Sequence, residues 1–212
     1  MNNIIIYALG RSGSKWLVDH LQETTGLTTP DDVADGEIYS WRCLNQQQHV
    51  QNAILDGNRI IKVLVHQKED ALSDFQGNYR HVYFNARKNL VDSVLSWYVG
   101  WQSNISSAPH YIGWHKNFSE PQTVAFDASV LRTTIHTCLA SRKKFIHNLH
   151  NYTTDNYSLV FTEDLPQHEK LHRPVILDRH DEIIPYIQQY ESQDPIALYQ
   201  HYDTAKILKF DN

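Results

Sequence analysis

Cationic and hydroxyl side chains crowd two short stretches of this chain. The first is Gly10-Arg11-Ser12-Gly13-Ser14-Lys15-Trp16, and the second runs from Arg87-Lys88-Asn89 to Ser96-Trp97. A glycine-rich turn leading into a helix exposes successive backbone N–H groups at the positive end of the helix dipole, a setting for phosphate or sulfate. Arg11, Ser14 and Lys15 would add charged and hydroxyl donors to it. In the second stretch, Arg87 and Ser96 supply the guanidinium and hydroxyl that suit a dianionic phosphate, with Lys88 as the rival cation. The plainer reading makes both stretches ordinary turns with exposed basic residues. The first is not a Walker A loop, because G-x-x-x-x-G-K-[ST] requires Lys directly after Gly13, where Ser14 stands. ATP or GTP hydrolysis is thereby disfavoured.

Between the two lies the apolar run Ile60–Val65, ending in His66. An imidazole at a strand end beside an anion site can take the proton of an attacking hydroxyl, so His66 is the first candidate base. Glu69, His110 and His115 are the alternates. Trp97, Trp101, Tyr111, Trp114 and Phe118 cluster after the second stretch and suit either a sugar or phenolic acceptor or plain packing. No metal site is expected: His147-x-x-His150 has no Cys or acid at a familiar spacing, and H-E-x-x-H is absent. The absence of a G-x-S-x-G elbow argues against an α/β-hydrolase.

Elements must carry these residues to one place. Ile4–Ala8 reads as a strand buried on both faces, and Trp16, Leu17, His20, Leu21 and Thr24 recur behind it at helical spacing. Ile60–Val65 and Val82–Asn85 read as the second and third strands, with a short helix over Gln46–Leu55 before them. Leu90, Val91, Val94, Leu95 and Tyr98 form one helical stripe, with Asn89, Ser93 and Ser96 on the other side. Trp101–Gln122 is aperiodic and reads as a long loop. Asp127 can cap a helix with apolar spacing from Leu131 to Leu149 that includes Arg142, and Tyr157–Phe161 reads as a fourth strand. Glu163 and Asp164 are expected to cap the segment that follows. Strands alternating with helices imply parallel pairing by right-handed crossovers, hence a three-layer α/β/α fold with a central, mostly parallel sheet. Ligands of such sheets sit outside the strands' carboxyl ends.

The composition bounds the partners. The 212 residues carry 19 Lys+Arg against 24 Asp+Glu, a net charge of −5, and 41% are hydrophobic. One domain spanning 1–212 is the expectation. Bulk positive attraction to nucleic acid or a membrane surface is excluded. Protonating all 13 histidines below their ordinary pKa of about 6.5 would carry the charge to +8. Cys43 and Cys138 make no disulfide framework, and the opening MNNIIIYAL has no basic region ahead of its short apolar run. A reduced, cytoplasmic setting is expected.

Arg-Ser-Gly-Ser-Lys-Trp-Leu after a hydrophobic strand resembles the 5′-phosphosulfate loop of sulfotransferases, P-[RK]-S-G-[ST]-T-[WL]-L, with Gly10 for Pro and Lys15 for Thr. The second stretch is similar to their 3′-phosphate motif, R-[DN]-x-x-[DE]-x-x-x-S-x-[YW]; Ser96 stands eight residues past Lys88 and nine past Arg87. Ile60–His66 is similar to their I-K-T-H base strand, although His66 follows Lys62 by four residues instead of two. Tyr157–Leu165 is similar to their Y-E-D-L segment, with Thr162 in the tyrosine's place. The C-terminal R-K-G loop is absent, and Arg173 or Arg179 could replace its cation. The resemblance implies a P-loop NTPase-like sulfotransferase architecture and 3′-phosphoadenosine 5′-phosphosulfate (PAPS) as donor. It implies Arg11, Ser12, Gly13, Ser14, Lys15 and Trp16 around the 5′-phosphosulfate and Arg87, Lys88 and Ser96 around the 3′-phosphate. His66, Arg11 and Lys15 would then be catalytic, and the acceptor a hydroxyl or amine on a small molecule or glycan. The alternatives are a nucleotide or small-molecule kinase with a divergent loop and a noncatalytic nucleotide- or glycan-binding module.

Overall fold

The apolar runs become parallel strands, arranged around the first of them. β1 (Ile4–Ala8) is flanked by β2 (Ile60–Leu64) on one side and β3 (His81–Ala86) on the other, all parallel. In this computed structural model, residues 2–31, 36–39, 44–68, 70–75, 77–105, 122–152, 154–166 and 175–210 are described. β4 (Gln122–Val124) lies apart; β5 (Tyr157–Phe161) adds to β3, giving the order β2-β1-β3-β5. β6 (Val175–Leu177) pairs with β4 in a separate two-stranded parallel sheet. The chain is therefore an α/β protein with an all-parallel four-stranded sheet.

Parallel pairing demands long crossovers, and helices supply them. They are α1 (Ser14–Thr25), α2 (Gln46–Asp56), α3 (Ala71–Asp74), α4 (Leu90–Ile105) and α5 (Ala128–Asn151), followed by α6 (His180–Gln188) and α7 (Pro195–Leu198). The period-2 alternation of β1 sends its side chains to two cores. Ile4, Ile6 and Ala8 pack with Leu17, Val18 and Leu21 of α1. Ile5, Tyr7 and Leu9 pack with Phe84 and with Phe145 and Leu149 of α5. Leu90, Val94 and Tyr98 of α4 meet Leu131, Ile135 and Cys138 of α5 and Ile183 and Ile187 of α6 in a third cluster. As expected, Asp127 caps α5, accepting from the N–H groups of Ser129 and Val130 at 2.8 and 3.0 Å.

Two expectations change. Trp101 belongs to α4, which runs on to Ile105 and so takes the first residues of the expected loop; 106–121 lie outside the described residues. Ser93 does not face outward: it is 7% exposed, donates to Asn89 O at 2.9 Å and accepts from Arg142 Nη1 at 3.1 Å. Because α4 packs against both α5 and α6, its polar positions are partly interior.

Arg142, one more position of the α5 stripe in the sequence, is 1% exposed and anchors this region. Its Nε and Nη2 donate to the two Asp194 carboxylate oxygens at 2.6 Å each. Nη2 also reaches Lys88 O at 2.7 Å and Nη1 reaches Arg87 O at 2.8 Å. With Ser93, every branch of the guanidinium has an acceptor, which is the condition for burying it. The pair ties α5 and α7 to the carboxyl end of β3.

From β1 the chain goes outward to β2 and then crosses β1 to β3, so the topological switch point lies between the carboxyl ends of β1 and β3. The anion-suited turn and the Arg87-Lys88 pair are the two segments that leave the sheet there.

Candidate active site

The turn after β1 is held from beneath. Arg11 and Gly13 both adopt left-handed backbone conformations, with φ of 66° and 75°. Such a conformation costs a non-glycine residue about 1–2 kcal/mol and needs support. The support is Ser12, fully buried, whose hydroxyl lies 2.6 Å from Leu9 O and 2.5 Å from Asn85 Oδ1. Thr162 completes it, donating to Ser12 O at 2.7 Å and reaching Ala86 O at 3.1 Å. Ser12 is thus turned toward the protein and acts on the turn's shape. The N-cap position of α1 is Gly13, which offers no side-chain cap, and no acid stands in the first turn, so the amino end keeps the partial positive charge of its leading N–H groups.

Arg11 Nε donates to Ser96 Oγ at 3.3 Å, and the Arg11 guanidinium lies over Gly100, where an added Cβ would sit 3.4 Å from Nη2. Ser96, expected with Arg87 or its rival Lys88 around the 3′-phosphate, is bonded in the structure to Arg11. One turn of α4 holds both Ser96 and Trp97, and Trp97 Nε1 donates to Gly10 O at 3.0 Å. Gly10 is required there: a Cβ would stand 2.3 Å from Trp97 Cζ2. The indole also meets His66, edge to face at 5.1 Å between ring centroids. Solvent reaches His66, but the protein packed around it desolvates the ring and pulls its pKa below the ordinary value, with the Glu37 carboxylate opposing in part. Gly10, Arg11, Ser96, Trp97 and His66 therefore form one contiguous patch over the switch point.

Behind His66 is a pair that spacing did not reveal. Lys62 Nζ lies 2.9 Å from Glu37 Oε2, the two residues being 4% and 7% exposed, and Gln67 Nε2 donates to Glu37 Oε1. Glu37 forms a parallel bridge to Lys62 on the outer edge of β2. The neighbour of His66 is thereby fixed to a buried ion pair.

Arg87 and Lys88 follow β3 but have other partners. Arg87 Nη1 donates to Asp92 O at 3.2 Å. Lys88 Nζ pairs with Asp164 Oδ2 at 3.0 Å and lies 4.6 Å above the Phe161 ring. Both Glu163 oxygens are engaged at 3.0 Å, one accepting from Lys88 N and the other from Asn89 N. Glu163 therefore caps the start of α4 in place of the expected segment after it.

The remaining expected residues are dispersed. Lys15 is exposed and pairs with Asp19 along α1 at 3.3 Å, and Trp16 stacks on His20 and meets Phe210 edge to face. Ser14 is buried at the first position of α1. His147 faces Asn151 whereas His150 lies against Tyr199, and among the described residues no three His, Cys, Asp or Glu converge as metal ligands. Desolvation pushes the buried Cys138 thiol up to about 12, making it a packing group. Arg179 pairs with Glu182 and lies over Phe126. Glu69, His110, His115, Tyr111, Trp114, Phe118, Arg173 and Cys43 lie outside the described residues. A cavity of about 140 Å³ lies near the amino end of β2, where Arg59 is held by Asp56 and Asp31, away from the switch point. No family model, curated protein or solved structure matches the chain. Among the described residues no helix is long and apolar enough to cross a membrane.

Proposed function

We propose that the protein is a sulfotransferase of three-layer, P-loop-like architecture that takes a sulfuryl group from PAPS, acting in the cytoplasm on a hydroxyl or amine of a small molecule or glycan. The observation that carries this reading is the contiguity of a helix start with no acid in its first turn, the Arg11–Ser96 contact and the His66–Trp97 pair over one switch point. The α1 turn fits an anion: no carboxylate stands in the first turn of the helix, and Arg11 and the leading N–H groups supply donors.

Gly13, Ser14 and Arg11 would hold the 5′-phosphosulfate. When bound, PAPS supplies a sulfuryl group, whose transfer forms the acceptor O–S bond and breaks the S–O bond to the 5′-phosphate, releasing 3′,5′-adenosine bisphosphate. His66, neutral at pH 7 because its pKa is lowered, takes the acceptor's proton at a ring nitrogen. Arg11 offsets the negative charge that gathers on the departing oxygen. Trp97 holds the His66 ring through its edge-to-face contact and the turn through its hydrogen bond to Gly10.

Calorimetric titration with 3′,5′-adenosine bisphosphate tests the reading. Binding is expected without magnesium and is expected to weaken about tenfold or more in Arg11→Ala. Failure to bind the bisphosphate, with magnesium-dependent binding of ATP in its place, would overturn it in favour of phosphoryl transfer.

A further inference from the structure

The sulfuryl-transfer reading assigns two anionic groups of one nucleotide to two helix starts, and these differ. At α1 the N-cap residue is Gly13, which has no side chain to cap with, and no acid stands in the first turn. At α4 the equivalent positions are filled by the protein itself. Glu163 accepts from the N–H groups of Lys88 and Asn89, and Asp164 pairs with Lys88 Nζ. Arg142 holds the Arg87 and Lys88 carbonyls from the other side. The acids cannot readily swing away, because Thr162, next to Glu163, is bonded to both Ser12 O and Ala86 O. A phosphate arriving beside Arg87 meets one carboxylate on the amides it would use and a second on the lysine it would pair with.

Resting on the sulfuryl-transfer reading, we infer that Glu163 and Asp164 close the 3′-phosphate subsite, so that the protein accepts an adenosine 5′-phosphosulfate donor without requiring a 3′-phosphate. The two carboxylates cancel the attraction that Arg87 and Lys88 would give a second dianion, the like-charge juxtaposition by which proteins reject a ligand. Arg11 and the α1 turn carry recognition of the 5′ end unaided.

The test is calorimetry with two probes, 5′-adenosine monophosphate and 3′,5′-adenosine bisphosphate, on the full chain and on Glu163→Gln and Asp164→Asn. In the unmodified protein the bisphosphate is expected to bind no more than about threefold more tightly than the monophosphate. Either substitution is expected to tighten the bisphosphate by about tenfold or more and to leave the monophosphate within about twofold. Asp164→Asn keeps the Glu163 cap on α4, so it tests the idea even if Glu163→Gln loosens the helix start. A bisphosphate preference of about tenfold or more in the unmodified protein would overturn the inference while leaving sulfuryl transfer standing. So would two folded variants whose bisphosphate affinity does not rise. If neither probe binds the unmodified protein, the sulfuryl-transfer reading itself falls.

Discussion

Substituting Asp194→Asn should be among the most damaging near-isosteric changes in this protein. The side chain accepts Arg142 Nε and Nη2 at 2.6 Å each and also caps α7 through Ile196 N at 3.1 Å. Asparagine keeps the cap but removes the charge and turns an NH₂ toward a guanidinium that is 1% exposed. Leaving a buried cation without its counter-charge costs about 3–5 kcal/mol. At this chain length that corresponds to a fall in Tm of roughly 6–20 °C. Replacing both partners, Arg142→Met with Asp194→Asn, removes the stranded charge, keeps the Ile196 N cap and should recover part of the loss. The recovery stops short because Arg142 also serves Arg87 O, Lys88 O and Ser93 Oγ. Three lost hydrogen bonds at about 0.5–1.5 kcal/mol each leave a deficit of roughly 1.5–4.5 kcal/mol. Urea unfolding followed by circular dichroism gives all three values. A cost below about 1 kcal/mol for Asp194→Asn, or complete recovery in the double variant, would refute the reasoning.

Two further outcomes are expected. Gly10→Ala drives a Cβ to 2.3 Å from Trp97 Cζ2, and the void lined by Gly10, Trp97 and Arg142 is only about 10 Å³, so the indole cannot step aside. A loss of about 1–3 kcal/mol with a shift in tryptophan emission is expected, largely relieved in Gly10→Ala/Trp97→Leu; an unchanged Tm would count against the packing described. His66 should titrate below 6.5 in a histidine NMR titration, and kcat/KM should rise with pH through that same midpoint and flatten by pH 7, the limb vanishing in His66→Gln. Because the native state binds this proton less readily than the unfolded chain, stability should also rise with pH between the His66 midpoint and about 6.5.

What the sequence made legible was whatever is written locally. The runs Ile4–Ala8, Ile60–Leu64 and Tyr157–Phe161 are apolar because both faces of a parallel strand are covered, and that pattern needs no knowledge of the partner strand. Asp127 is likewise readable, since a cap bonds residues two and three places on. The candidate site was legible as an inventory but not as a set of pairs. Arg11 lies 85 residues from Ser96, and nothing in the type or spacing of either tells whether Arg11 or Arg87 reaches that hydroxyl. Glu163 was expected to act forward along the chain; it caps a helix more than 70 residues earlier because β5 runs beside β3 in the same direction. Arg142 was hidden in an apolar stripe because a guanidinium with a distant carboxylate occupies a core position as well as a leucine does.

The same pairings explain how an acidic protein divides its few cations. Lys62, Lys88 and Arg142 stand on or near the carboxyl ends of strands, yet each is matched to an internal carboxylate: Glu37, Asp164 and Asp194. They hold β2 to its edge segment, β5 to the start of α4, and the α5–α7 packing to the end of β3. Arg11 donates to a hydroxyl, Ser96 Oγ, and the helix that begins beside it has no acid in its first turn. The Arg11 turn is supported by neutral side chains, Ser12, Asn85, Thr162 and Ser96, and the start of α1 adds the partial positive charge of its leading N–H groups. A chain with a net charge of −5 can therefore direct an anion to the amino end of α1 without being a general polyanion binder.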